Sequence, residues 1–555
     1  MTDTQKKVAD IWAAVIPNRT ARMFVPTSNF FDEGGHSILA QQMLFRVRSE
    51  WAGIDLPMSV IFTSQTVEAF AAEIERGLDP TGLRLDAAMP LPSGHSAEIT
   101  DEAYAADARD LATQLPASIA AAGTEQGTAQ PFVVFLTGAT GFLGSFVLRE
   151  LLTHSPTTCR VIALVRCASA DAGLDRLEAV CRAYGFWDDE WRTNQRVQVV
   201  PGDIAKRGLG MTEKDWTFVA QSADVVLHNG AQVNWMLPYS SLRAANVLST
   251  VDCIALCASS KPKRLAFVSS TSALDNDHYT KLSQQSVANN GTGVLESDTL
   301  EGSRRGLATG YGQGKWASEY IVREAGKRGL SGTIIRPGYV SGDPDSGATV
   351  TDDFLVRLWK GCVQVGARPD IGNSVNQVPV TQVARIVVAS ALSCPQSVDG
   401  NETNALPVVQ VTSHPRLTLN DWLGTLQEYG YPVPMVPYAE WSQRVRDYVG
   451  TDLSSSSGRE EHALLPLLHF VTDNLPADSI APELDDRNAA VVMERYGQSL
   501  EKSAVTQEAM GRYLAYLVAV GFMDGPAKGS GRREVPECRV APGVLATLGG
   551  RGGAK

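Results

Sequence analysis

Over the first 76 residues the apolar positions recur at helical spacing. Val8, Ile11, Trp12, Val15 and Ile16 share one face, Ile38, Leu39, Met43, Leu44 and Val47 a second, and Val67, Phe70, Ala71 and Ile74 a third. The pattern predicts a small all-α bundle over 1–80. Periodicity then lapses into a stretch rich in Pro, Gly, Ala, Ser and Thr, which predicts a linker over 81–130 with one short helix at 104–114. At Pro131 the period changes. Phe132-Val-Val-Phe-Leu136, Val161-Ile-Ala-Leu-Val165, 197–200, 225–227, 265–269 and 332–335 are apolar runs separated by helical patterns. Such strands alternating with helices predict an α/β domain of Rossmann type, a doubly wound parallel sheet covered on both faces. Beyond about residue 400 the alternation fades into helices, within a domain predicted to span 131–525. The Gly-, Arg- and Pro-rich stretch 526–555 is expected to be a flexible tail.

Composition narrows what this architecture can do. A chain of 555 residues is too long for one ordinary domain, in keeping with several modules. A net charge of −12, with no basic cluster, argues against nucleic acid as a partner. The eight cysteines are scattered without metal-ligand or disulfide spacing, as reduced thiols of a cytoplasmic protein would be. No metal site is expected. The longest apolar run considered, 514–523, falls short of the ~20 residues of a spanning helix, so no membrane partner is expected.

Candidate chemistry begins at Phe30-Phe-Asp-Glu-Gly-Gly-His-Ser-Ile-Leu39. Ser37 follows two glycines and precedes an amphipathic helix, where unpaired N–H groups and the helix dipole favour an attached phosphate. A plain N-cap serine fits the position too. Thr137-Gly-Ala-Thr-Gly-Phe-Leu-Gly144 follows a strand and opens a helix. Gly138, Gly141 and Gly144, with Thr140, Phe142 and Leu143 between them, form a glycine loop able to approach a pyrophosphate closely. The next strand ends Ala163-Leu-Val-Arg166, with no carboxylate before Asp171. Arg166 there favours the 2′-phosphate of NADPH over NADH, and Arg176 is a second candidate or a solvated helix residue. Asp203 and Ile204 suit the adenine end, while Asn229, Ala231 and Asn234 follow another strand and would pass beside the ribose.

Tyr311-Gly-Gln-Gly-Lys315 places a phenol and an ammonium four residues apart on one helix face. A neighbouring cation is expected to lower the phenol pKa and make Tyr311 a proton donor. The glycines at 310, 312 and 314 are expected to give clearance to a bulky substrate arm.

Two resemblances follow from these residues. Asp32, Gly34, Gly35, His36, Ser37 and Leu39 resemble the attachment motif of peptidyl carrier domains, which implies 4′-phosphopantetheine on Ser37, a phosphopantetheinyl transferase as partner, and His36 as a neighbour of the arm. The glycine loop, Val268-Ser-Ser-Thr-Ser272 and Tyr311/Lys315 resemble the extended short-chain dehydrogenase/reductases. That resemblance implies Ser270 as the active hydroxyl, with Thr271 the alternative, and Arg336-Pro-Gly-Tyr-Val-Ser-Gly342 as the nicotinamide-side loop carrying Pro337, Gly338 and Val340. Lys315 and Tyr311 would also touch the cofactor.

Carrier and reductase together resemble the thiolation–reductase part of α-aminoadipate reductases, carboxylic acid reductases and reductase-terminated peptide synthetases, over about residues 5–525. The resemblance is closest to the fungal α-aminoadipate reductases. It implies reduction of a carrier-bound acyl thioester, α-aminoadipyl in lysine biosynthesis, by NADPH to an aldehyde, with the C-terminal helices capping the substrate. Those enzymes begin with an adenylation domain that has no counterpart in these residues, so acid activation is expected from outside them. A different acyl group is the alternative. A nucleotide-sugar epimerase or dehydratase shares the reductase fold but has no use for a carrier serine.

Overall fold

The computed structural model describes residues 1–16, 20–30, 33, 39, 43–44, 46–47, 50–51, 56, 60–61, 64–78, 103–122, 132–154, 159–235, 237–393, 406–454, 462–473, 475–478, 480–497, 499–500, 503–527 and 529–540. Its contacts divide it into two units. One holds Met1–Ile99, Asn234–Pro238 and Ala439–Leu475; the other holds Thr100–Val233, Tyr239–Tyr438 and Pro476–Lys555.

In the first unit, helix α1 (Asp3–Val15) opens on a capping box, with Thr2 and Gln5 bonding each other's backbone N–H groups. Helix α2 (Val67–Leu78) buries Val67, Phe70, Ala71 and Ile74. These pack with Val8, Trp12, Leu39, Met43, Leu44 and Val47, so the three predicted faces meet in one core. The Trp12 ring meets Phe24 and Phe30 edge to face at 5.6 and 5.1 Å. Ser37, His36, Asp32, Gly34, Gly35 and Ile38 lie outside the described residues.

The second unit is built on seven parallel strands: β1 (Phe132–Thr137), β2 (Cys159–Val165), β3 (Val197–Pro201), β4 (Val225–His228), β5 (Arg264–Val268), β6 (Gly332–Pro337) and, later in the chain, β8 (Val408–Val411). Their order is β8-β6-β5-β4-β1-β2-β3, and β1 is flanked by β2 and β4. Strand order reverses at β1/β4, which opens a crevice at the strand C-termini. The predicted apolar runs are strands because both faces are covered. One face buries Phe135, Ile162, Val226 and Phe267, the other Val134, Leu136, Val161 and Leu227.

Three expectations about extent differ. Helix α3 (Ala103–Thr113), expected inside a linker, belongs to the second unit: its buried Tyr104 hydroxyl donates to the Ser303 carbonyl at 2.6 Å, and Asp107 accepts two 2.7 Å bonds from Arg243. Ala439–Leu475, expected in the reductase, groups with the first unit. The stretch expected to fray from 526 is tied down as far as Val540, which is buried; Ser530 donates to the Gly430 carbonyl and Arg533 N–H to that of Glu428. The segment Tyr239–Ala258 is long and apolar enough to cross a membrane, but 61% of its apolar window is buried against the sheet and its neighbours. A core helix passes the same test.

Candidate functional site

The glycine loop leaves β1 and enters α4 (Phe142–His154) at the β1/β4 crevice. Gly138 adopts a left-handed φ of 73°, and a Cβ there would lie 2.8 Å from the Gly230 Cα. A Cβ on Gly144 would come within 2.0 Å of the Gly138 carbonyl oxygen. Gly141 is exposed at the mouth, with Thr140, Phe142 and Leu143 partly exposed around it. The Phe142 ring packs on Phe146 and Tyr184, so it braces the helix from its first residue. This backbone cradle fits a dinucleotide pyrophosphate at a helix N-terminus.

Around it stand most of the predicted partners. Arg166 is exposed immediately after β2, and its carbonyl accepts a 2.9 Å bond from Arg176, which folds back toward the same strand end. Asp203 caps its own turn through the Ala205 N–H at 3.0 Å, and Ile204 packs on the core. The Asn229 side-chain amide lies against both Gly138 and Gly144, and Gly230 N–H and Ala231 continue the loop. Asn234 is grouped with the first unit, and its side chain accepts from the Leu237 N–H at 3.1 Å.

The second cluster lies at the ends of β5 and β6, on helix α7 (Gly310–Lys327). Ser270 N-caps the turn after β5, accepting from Ser272 N–H at 3.1 Å, and its side chain acts on Tyr311, drawing the phenol pKa down. Of Ser270 and Thr271, Ser270 is the one whose side chain acts on the phenol. Lys315 is buried, donates to the Val268 carbonyl at 2.7 Å, and sits 5.8 Å from the Tyr311 ring centre. The expected lowering of the phenol pKa is not present. Tyr311 keeps a partly exposed edge, yet burial of its surroundings pushes the phenol up to about 12, only partly opposed by Ser270. Lys315 is itself brought down to about 8 by burial, with Glu319 opposing. Gly312 also has another use than expected: a Cβ there would meet the Ser272 carbonyl at 2.7 Å, so it lets α7 approach the Ser270 turn.

Beyond β6, Pro337 closes the strand, and Gly338 must be glycine because Asn376 fills the space of a Cβ at 2.4 Å. Val340, in the short strand β7 (Tyr339–Ser341), packs toward the core under the sheet.

Two buried residues were not singled out from the sequence as functional. His228 ends β4, with Nδ1 2.9 Å from Thr137 Oγ1 and Nε2 3.2 Å from Ser249 Oγ. Ser249 donates to the Ala245 carbonyl, so its oxygen accepts from Nε2–H, and Nδ1 accepts from Thr137. Thr137 in turn accepts from Gly230 N–H, and one neutral imidazole thus ties the two cofactor-side loops together. Burial, then the Lys315 charge, holds its pKa down at about 3. Glu319, one turn after Lys315, accepts from Ser269 at 2.9 Å and from the Arg336 Nε at 3.0 Å, and pairs with Arg323 at 3.1 Å. Burial opposes its charge, but Arg336 and Arg323 hold the carboxyl well below the ordinary carboxylate range. The spacing Lys315-x-x-x-Glu319 is visible in the sequence; its pairing with Ser269 and Arg336, 50 and 17 residues away, is not.

Comparison with known proteins agrees with this division. Residues 6–74 match the phosphopantetheine attachment site family, and residues 136–387 match the family described as male sterility protein, an NAD-binding domain. The L-2-aminoadipate reductase large subunit of Penicillium chrysogenum is 46% identical over the whole chain, and the chain covers 39% of it. The chain spans about two fifths of the length of the curated relatives it matches. The terminal R domain of the myxalamid pathway superposes with a TM-score of 0.62 at 28% identity, over 77% of this chain and 99% of that one. A thiolation-reductase di-domain from an archaeal non-ribosomal peptide synthetase gives 0.67 at 18% identity, over 94% and 98%, and so shares the fold. The chain thus pairs a match to the phosphopantetheine attachment site family with a match to an NAD-binding family, and along its whole length it is similar to part of the L-2-aminoadipate reductases.

Proposed function

We propose that the chain reduces an acyl thioester carried on phosphopantetheine at Ser37, releasing an aldehyde, with α-aminoadipyl as the acyl group. The observation that carries this reading is the grouping of Tyr311 with Lys315, 5.8 Å from its ring centre, and with Ser270, in a chain whose other domain matches carriers. The homology to L-2-aminoadipate reductases favours α-aminoadipyl over other acyl groups. An adenylation domain and a phosphopantetheinyl transferase are the partners this requires, the first to form the thioester and the second to install the arm.

NADPH, when bound, supplies the hydride that reduces the carbonyl carbon. Gly138, Gly141 and Gly144 would hold its pyrophosphate through backbone N–H groups, and Arg166 with Arg176 would meet the 2′-phosphate. Tyr311 remains protonated at neutral pH because its pKa is high. It therefore donates a hydrogen bond, with Ser270, to the oxygen on which negative charge develops, and gives up its proton as that oxygen becomes the stronger base. Lys315, cationic below about 8, stabilises the resulting tyrosinate. Loss of the thiol from the reduced carbon would free the aldehyde and leave the thiol on the arm. Once free, the aldehyde lacks the local concentration the tether gave it, so reduction stops after two electrons.

The test loads Ser37 with an α-aminoadipyl-pantetheine arm from its coenzyme A thioester and a transferase, then follows NADPH oxidation. One NADPH per loaded acyl group, with the aldehyde trapped by a hydrazine, is expected; Ser37→Ala should neither load nor oxidise. Loaded protein that oxidises no NADPH overturns the reading, and two NADPH per acyl group with release of an alcohol overturns the two-electron step.

A further inference from the structure

Helix α7 holds the end of β5 with two consecutive turns. Lys315 Nζ donates to the Val268 carbonyl at 2.7 Å, and one turn later the Glu319 carboxylate accepts from the Ser269 hydroxyl at 2.9 Å. Val268 and Ser269 are neighbours in the chain, and the next residue is Ser270. The first turn of α7 lies against the same segment, since a Cβ on Gly312 would meet the Ser272 carbonyl at 2.7 Å. The Tyr311 phenol and the Ser270 hydroxyl are thus carried by two separate segments, and Lys315 and Glu319 are side chains that join one segment to the other.

Glu319 is itself anchored. It is fully buried; Arg336 on β6 donates to it through Nε at 3.0 Å, and Arg323 on its own helix pairs with it at 3.1 Å. The Ser269 N–H donates to the Ile335 carbonyl at 2.7 Å. Strand β6 therefore supplies the backbone partner of Ser269 and also, through Arg336, a counter-charge for its side-chain partner. An ion pair that served only to hold the fold would need no more than the two arginines. The bond from Ser269 and the place one turn from Lys315 direct Glu319 toward the residues that do the chemistry.

Its charge reaches Lys315 as well. From β5 the Phe267 ring centre lies 5.2 Å from Lys315 Nζ, with the His228 ring of β4 5.8 Å beyond it; His228 and the Tyr311 phenol are both neutral at pH 7. Of these neighbours Glu319 carries the charge, and it opposes the loss of the Lys315 proton that burial favours. Removing it takes away what neutralises Arg323 and Arg336 and leaves their positive field acting on Lys315.

We infer that Glu319 is a positioning residue of the reductase: through Ser269 it fixes the Ser270 hydroxyl against Tyr311, and by its charge it keeps Lys315 an ammonium during turnover. The inference rests on the proposed thioester reductase activity and adds to it the group that sets its geometry and its alkaline limit. A misplacement of about 1 Å beside reacting groups can cost on the order of 10²-fold; loss of one tether, with the Ser269 backbone bond kept, should cost about tenfold.

The test assays the full chain with NADPH and a soluble α-aminoadipyl-pantetheine thioester from about pH 6 to about pH 10. Ser269→Ala leaves Glu319 paired with both arginines. It should lower kcat about tenfold at every pH, with the thioester KM and NADPH affinity nearly unchanged. Glu319→Gln keeps the size and an acceptor oxygen but not the charge. It should move the alkaline limb of kcat/KM, near 8 in the wild type, down by about one unit, whereas a purely structural ion pair would scale the rate without moving the limb. Wild-type kcat in Ser269→Ala, or a loss in KM alone, overturns the tether, and this variant decides it whether or not Glu319→Gln stays folded. A limb that stays in place in Glu319→Gln overturns the role of the charge. A wild-type chain that oxidises no NADPH overturns the reductase reading itself, a distinguishable failure.

Discussion

The two sides of the crevice at the ends of the strands are built on opposite physical terms. On the β1/β4 side the chain removes side chains: Gly138, Gly144 and Gly230 let three backbone segments touch, and the buried His228 is held neutral. On the β5/β6 side it buries full charges: Lys315, Glu319, Arg323 and Arg336 all pack within one helix and one strand end. A phosphate-bearing ligand brings its own charge and asks for N–H groups and space. A carbonyl that becomes an oxyanion has no charge until it reacts, so the protein must supply and fix the field beforehand. The difference predicts that substitutions on the first side act on binding and those on the second on turnover or stability.

Tyr311→Phe gives the largest separation of the two. Losing a positioned proton donor should lower single-turnover reduction by about 10²–10⁴-fold while NADPH affinity changes little. Fluorescence titration with NADPH alongside the turnover measurement checks both halves; loss of NADPH binding would merge the two sides.

Next in size is Glu319→Ala, which leaves Arg336 buried and unpaired. Breaking a buried ion pair on one side typically costs about 3–5 kcal/mol, read as a lower denaturation midpoint. The carboxyl of Glu319 is held below its ordinary range in the folded protein, so its contribution is present above the ordinary carboxylate pKa and is lost as pH falls below it. The variant should therefore lose less, relative to wild type, at pH 3 than at pH 7.

That pair also marks where sequence reading stopped. The glycine loop and Tyr311/Lys315 were legible because each is a local spacing: three glycines in one turn, or two residues on one helix face. The sheet was legible because strands buried on both faces are apolar throughout. Glu319–Arg336 and His228–Thr137–Ser249 join residues 17 to 91 positions apart, and only strand order and register bring them together. Helix α3 was legible as a helix, but its Pro/Gly-rich flanks hid its place in the second unit, to which Tyr104 and Asp107 tie it through residues about 130–200 positions later.

Arg166→Ala tests the cofactor side at smaller scale. Arg166 is exposed and its side chain is free to meet a 2′-phosphate. Removing a charged two-pronged contact costs on the order of 1.5–3 kcal/mol, or about ten- to hundredfold in NADPH affinity, with NADH nearly unaffected. Isothermal titration with both cofactors decides it; equal losses would mean that Arg166 supports the fold.

The smallest effect, and the one that bears most directly on how the catalytic side works, is the pH dependence of Lys315. Burial lowers its ammonium to about 8 in the folded chain, from about 10.5 for the unburied group. A base whose pKa falls on folding binds fewer protons in the native state than in the unfolded one between those two values. Stability from this group should therefore rise as pH goes from about 8 to about 10.5, and be flat with respect to it on either side. Activity should run the other way. The tyrosinate left after proton transfer needs the cation beneath it, so kcat/KM, which reports the free enzyme, should fall above an apparent pKa of about 8. Tyr311 does not produce that limb, because its own phenol titrates near 12. The residual turnover of Tyr311→Phe, which forms no tyrosinate, should then lose the alkaline limb, whereas a limb that persists unchanged in that variant would assign it to a group other than Lys315 acting through the phenol.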